Sequence, residues 1–158
     1  MLDLIEAVGV NRIITMDLHS PQVQGFVNVP FDHLYSSMAV LEKLKNLNLD
    51  SSEGVVLSPD MGSARMSQSY AKKLNVGFAL IDKRRPKPNQ AEVTNVVGEL
   101  ENKHVLIIDD MIDTAGTICN AAEIAMERGA KKVTAVGTHP VLSEISIKRL
   151  KESKISQV

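Results

Sequence analysis

Short apolar runs alternate along this chain with stretches in which apolar residues recur at helical spacing. The runs 12-RIITMD-17, 77-GFALID-82, 104–108 and 132–137 predict strands, and 54-GVVLSPD-60 predicts a short buried strand ending in a turn. Residues 2–8 predict a helix stopped by Gly9, and 63–74 a helix closed near Asn75. Met38, Leu41 and Leu44, with Val40 and Leu47, predict a helix over 37–46. Ile118, Ala121, Ala122, Ala125 and Met126 share one face of a helix over 116–128, which Gly129 ends. Ser143 opens another, to about Lys151. Residues 94–97 read as a further short strand or a turn. Two prolines and four cations make 83-KRRPKPNQ-90 an exposed loop, and Ile155 begins an element that the chain does not complete.

Strands alternating with amphipathic helices predict an α/β fold, a Rossmann-like, mainly parallel sheet flanked by helices. Ligands of such sheets bind beyond the carboxyl ends of the strands. The candidate site is therefore whatever follows Asp17, Leu57, Ile81, Ile108 and Val136.

Composition narrows the picture. The 158 residues suit one domain, over 1–158, and 44% hydrophobic content gives it a core. A formal net charge of -1 argues against a surface built mainly for nucleic acid or anionic membrane. Aromatics at 3%, without Trp, leave no base-stacking platform. Apolar runs are too short to span a bilayer, and the acidic N-terminus has no basic region of a signal peptide. The lone Cys119 forms no intramolecular disulfide and suits a reducing cytoplasm.

The chemistry concentrates in 105-VLIIDDMIDTAGT-117. Thr114, Ala115, Gly116 and Thr117 offer small side chains, backbone N–H groups and hydroxyls at a helix start, the composition of a phosphate cradle. Asp109 and Asp110 suit a vicinal diol, whose hydroxyls carboxylates accept. Phosphate beside diol means a ribose phosphate. Asp113 and Thr114 as mere helix caps would leave Asp109 and Asp110 unexplained. In 58-SPDMGSAR-65, Asp60 can bind a metal and the N–H groups of Met61, Gly62, Ser63 and Ala64 can face an anion; a plain capped helix start is the blander account. His19 in 17-DLHS-20 can meet Mg²⁺ directly or through water, or be an ordinary surface histidine. The cations of 83-KRRPKP-88 can swing over a polyphosphate. No GxxxxGK[ST] pattern occurs, so this is not a P-loop phosphotransferase.

The segment IIDDMIDTAGT resembles the phosphoribosyl pyrophosphate (PRPP) motif of the type I phosphoribosyltransferase fold. With MDLHSPQVQGF, NVPFDHL, VLSPDMGSARMS and DKRRPKPNQAEV in order, the chain from residue 1 to 158 resembles ribose-phosphate pyrophosphokinase, the PRPP synthetase family. That resemblance implies transfer of the pyrophosphoryl group of ATP to the C1 hydroxyl of ribose 5-phosphate, with Mg²⁺. It implies that Asp109, Asp110, Asp113, Thr114, Ala115, Gly116 and Thr117 hold ribose 5-phosphate. Asp60 to Ala64 would form the pyrophosphate loop, His19 and Asp60 would hold Mg²⁺, and Lys83 and Arg85 would stabilise the transition state. Gln24 and Asp32 would lie near a regulatory anion site at a subunit interface, in a cytoplasmic homo-oligomer that binds neither nucleic acid nor membrane. Ser63 stands where the family usually has a second glycine, and Pro21 where some relatives have a hydroxyl residue. The chain would correspond to the C-terminal half of a two-domain enzyme. A non-catalytic regulatory homologue and a PRPP-using phosphoribosyltransferase are the alternatives.

Overall fold

The structure, a computed structural model, describes residues 1–84 and 93–158. It forms two compact units, Met1–Val40 and Leu41–Val158.

The first unit holds α1 (Leu2–Ala7), β1 (Ile13–Met16), the 3₁₀ turn Pro21–Phe26 and β2 (Phe31–Leu34). β1 and β2 pair in parallel, Ile13 against Phe31 and Met16 against Leu34. Neither β2 nor the 3₁₀ turn was expected. Phe31 to Leu34 is too short and too polar to show a period, and pairing with β1 is what makes it a strand. The end of β1 is therefore not part of the main sheet, which corrects the expectation that five strand ends share one edge.

α2 (Ser37–Lys45) carries the boundary into the second unit. There follow β3 (Gly54–Ser58), α3 (Ala64–Leu74), β4 (Gly77–Arg84), β5 (Val93–Val97), β6 (His104–Met111), α4 (Gly116–Glu127), β7 (Lys132–His139) and α5 (Glu144–Glu152). The sheet order is β5-β4-β3-β6-β7, with β5 antiparallel to β4 and the other pairs parallel. β3 is buried along its whole length, as a central strand covered on both faces must be. Its odd positions Val55 and Leu57 join Val105, Ile107, Val133 and Ala135 in one core under Ile118, Ala121, Ala122 and Ala125 of α4. Side chains alternate across a sheet, so Val56 and Leu106 face the other side, where α3 packs on β3 and β4.

From β3 the chain moves outward to β4, and from β6 outward to β7. The reversal between β3 and β6 is a topological switch point, the crevice where such sheets bind ligands. Two strand ends differ from expectation. β6 continues through Asp109 and Asp110 to Met111, because its neighbour β7 runs on to His139 and supplies the ladder. β4 continues through Lys83 to Arg84, paired with Val93 and Thr94 of β5, so the cationic segment starts on a strand rather than in a loop. After α5, Ser156 donates its N–H to the Val133 carbonyl and Gln157 bridges Thr134, so the C-terminal residues begin to pair with β7.

Candidate active site

Two strand-to-helix loops flank the switch point. The first follows β3. Ser58, fully buried, donates from Oγ to the Asp60 carbonyl at 2.8 Å and shares a 2.9 Å hydrogen bond with Ser63 Oγ. Asp60 Oδ1 accepts the Ser63 N–H at 2.9 Å and the Ser63 hydroxyl at 3.0 Å. A Cβ on Gly62 would stand 3.3 Å from that same oxygen, a tight approach that a side chain there would crowd. Of the amides Met61 to Ala64, Ser63 is committed to Asp60, and Ala64 reaches the Met61 carbonyl at 3.4 Å. Ser63 closes the loop as well as departing from glycine. α3 starts at this point with Ser63 as N-cap, and no side chain caps its first amides.

The second loop follows β6. Asp109 and Asp110 are half-buried on the strand, and the Asp110 N–H donates to Asp109 Oδ1 at 2.9 Å. Burial, a side-chain hydrogen bond with Asp110 and the charges of Asp110 and Asp60 push Asp109 up to about 7, against the Asp110 N–H, which pulls it down. The charge of Asp60 reaching Asp109 joins the two loops electrostatically: adjacent strands bring both sets of carboxylates to one edge. Ile112 is buried against Gly137 of β7, with Asp113 and Thr114 exposed. Ala115 takes the left-handed conformation, φ 59° and ψ 7°, and is the N-cap of α4. No side chain caps α4, and Thr114 Oγ1 lies a long 3.4 Å from the Gly116 N–H. Apart from that long bond to Thr114, the first turn of α4 turns its N–H groups and the positive end of its dipole to the loop.

This loop is held from outside. The Ile112 carbonyl accepts from Leu142 N–H and the Asp113 carbonyl from Ser143 N–H, at 3.0 and 3.2 Å. Arg149 Nη1, on α5, donates to the Thr114 carbonyl at 3.1 Å. Ser58 and Arg149 both build the loops, yet neither has a signal in the sequence: one looks like a strand end, the other like the polar face of a helix.

The other expected residues belong to other segments of the chain. His19 is an exposed residue of the first unit, after β1. The strand's end is held there by Asp17, whose carboxylate accepts the Ser36 N–H, and by Leu18, whose N–H donates to His33 Nε2. Gln24 donates to the Pro21 carbonyl at 2.9 Å, and Asp32 pairs with Arg12, whose guanidinium holds that carboxyl below its usual range. Lys83 lies on β4, and Arg85 lies outside the described residues. Cys119 is half-buried and packs on the core, and burial pushes its thiol up. Among the described residues no three His, Cys, Asp or Glu side chains gather to hold a metal. A Mg²⁺ ion usually takes only one or two protein carboxylates and keeps waters and substrate oxygens. The crowded carboxylates around Asp109 are of the hard-oxygen type that suits it.

Residues 31–153 match the phosphoribosyl transferase domain, and the sheet with its loops is of the type I phosphoribosyltransferase kind. A purine phosphoribosyltransferase from Pyrococcus horikoshii shares that fold at a TM-score of 0.55 and 21% identity, covering 85% of this chain and 82% of its own. The ribose-phosphate pyrophosphokinase of Chlorobaculum tepidum is 47% identical over 99% of this chain and 48% of its own length. That of Clostridium acetobutylicum is 46% identical over 100% of this chain and 50% of its own. The structure of phosphoribosylpyrophosphate synthetase from Mycobacterium smegmatis aligns over 99% of this chain and 50% of its own, at a TM-score of 0.88 and 36% identity. The chain belongs to the ribose-phosphate pyrophosphokinase family, and it spans about half the length of the relatives it matches.

Proposed function

We propose that the protein carrying this chain transfers the pyrophosphoryl group of ATP to the C1 hydroxyl of ribose 5-phosphate, giving PRPP and AMP. The observation that carries this reading is the Asp109–Asp110 pair beside the uncapped start of α4, within a chain of this family. Ribose hydroxyls would donate to the two carboxylates, and the 5-phosphate would take the amides of Thr114 to Thr117. The span 1–158 would be one phosphoribosyltransferase-like domain, the C-terminal half of a two-domain enzyme.

The C1 hydroxyl oxygen attacks the β-phosphorus of ATP, the bond from the β-phosphorus to the bridging oxygen breaks, AMP leaves with that oxygen, and the hydroxyl proton is lost. Such a transfer needs positioning and charge neutralisation rather than a covalent nucleophile. Asp60 and His19 would hold Mg²⁺, which supplies Lewis-acid charge to the phosphate oxygens. Met61 and Gly62 would offer their amides to the pyrophosphate, with Ser63 and Ala64 shaping the turn. Lys83 and Arg85 would neutralise the charge that develops on the transferring group. Gln24 and Asp32 would form a regulatory anion site at a subunit interface of a homo-oligomer. The enzyme would be cytoplasmic.

AMP formation from ATP and ribose 5-phosphate with Mg²⁺, measured on the protein that carries this chain, tests the reading. No AMP would reject it. Base-dependent release of pyrophosphate from PRPP would favour a phosphoribosyltransferase instead.

A further inference from the structure

We propose that Arg149 is a positioning residue that sets the orientation of the Thr114–Ala115 peptide, and through it the phosphate affinity of the loop; this rests on the reading of residues 113–117 as the ribose 5-phosphate site. The carbonyls of Ile112 and Asp113 are fixed by backbone donors from 142–143, and the Ala115 carbonyl accepts the Cys119 N–H inside the helix. The Thr114 carbonyl is the link between those two anchored stretches, and its partner is the Arg149 guanidinium at 3.1 Å.

In a trans peptide the C=O and N–H point in opposite directions. A Thr114 carbonyl turned toward Arg149 therefore turns the Ala115 N–H the other way. Ala115 sits at φ 59°, a left-handed conformation that is strained for an alanine. A flip of the 114–115 peptide would return Ala115 toward negative φ and relieve that strain. It would also remove one N–H from the concave set that a residue in this conformation completes for an anion. Arg149 opposes the flip by holding the carbonyl with a charged donor. Arg149 Nη1 also lies beside Gly116, 3.5 Å from where a Cβ would stand. Arg149 is exposed and its stem is not part of the core, so its removal leaves the fold standing.

The test compares Arg149→Gln, which keeps an N–H donor without charge, with Arg149→Met, which keeps the stem and has neither. In Arg149→Met the KM for ribose 5-phosphate should rise about tenfold, as for loss of one charge-assisted hydrogen bond, while the KM for ATP and kcat stay within about twofold. Arg149→Gln should recover most of the loss. Equal losses in Gln and Met would overturn the proposal, because charge alone would then be acting. So would an unchanged KM in Met. If the unaltered protein forms no AMP, the functional reading fails, and thermal protection by inorganic phosphate still decides the inference. Phosphate should raise the melting temperature of the unaltered protein and of Arg149→Gln, but not of Arg149→Met. An equal rise in all three, or none in the unaltered protein, overturns it.

Discussion

The loops after β3 and after β6 do the same job by opposite means. In the first, Ser58, Asp60 and Ser63 tie the turn to itself with side-chain bonds that span at most five residues. In the second, the backbone is anchored by residues 139–149, with Gly137 and Arg149 beneath and beside it. A loop whose own polar groups are spent on its shape keeps few for a ligand. A loop clamped from outside spends fewer of its own side chains on its shape, at the cost of depending on distant residues.

The largest expected effect asks whether the two loops suffice without cations. Lys83→Ala should lower turnover about 10²–10³-fold while ribose 5-phosphate binding changes far less, because its charge acts mainly in the transition state. Equal losses in kcat and in binding, measured by steady-state kinetics and calorimetry, would make it a binding residue. Next comes the external clamp. A Cβ at Gly137 would stand 2.5 Å from Ile112 Cγ1, so Gly137→Ala should destabilise by about 1–3 kcal/mol and lower the melting temperature by several degrees. An unchanged melting curve would show that the second loop does not need its packing from β7.

The self-tied loop should respond more mildly. Ser58→Ala and Ser63→Ala should each cost about 1 kcal/mol, and the double variant less than the sum, since the two hydroxyls bond to each other. Strict additivity in urea unfolding would contradict that network. The last effect is one of sign. Asp109 holds its proton up to about 7, above the ordinary 3.8, so the folded state binds it more tightly than the unfolded chain does. Stability is then full below 3.8 and declines as pH rises toward 7. Asp109→Asn should melt higher than the unaltered protein at about pH 8 and alongside it at about pH 3. A lower melting temperature at the higher pH would refute the crowding of these carboxylates.

Much of the second unit is legible in the chain. The periodicity of 116–128 and 63–74 and the apolar runs of β3 and β6 mark elements that burial makes real. The first unit is harder to read. Phe31 to Leu34 has no run or period of its own, and its strand exists through pairing with β1. The same holds for the ends of β4 and β6, which extend as far as a neighbour offers a ladder. The acids Asp109 and Asp110, the small residues 114–117 and Asp60 stood out by type and spacing. Arg149 did not, because an arginine on the polar face of a helix looks like any solvated cation.

What the sequence determined alone is therefore local: which segments are helices or strands, and which short stretches carry the carboxylates and phosphate-sized turns. Those depend on residues a few positions apart, and the pattern of side chains encodes them directly. The strand order that makes β3 and β6 neighbours, the charge of Asp60 felt at Asp109 and the grip of Arg149 on Thr114 were decided by tertiary structure. They join residues that only the packed sheet brings together.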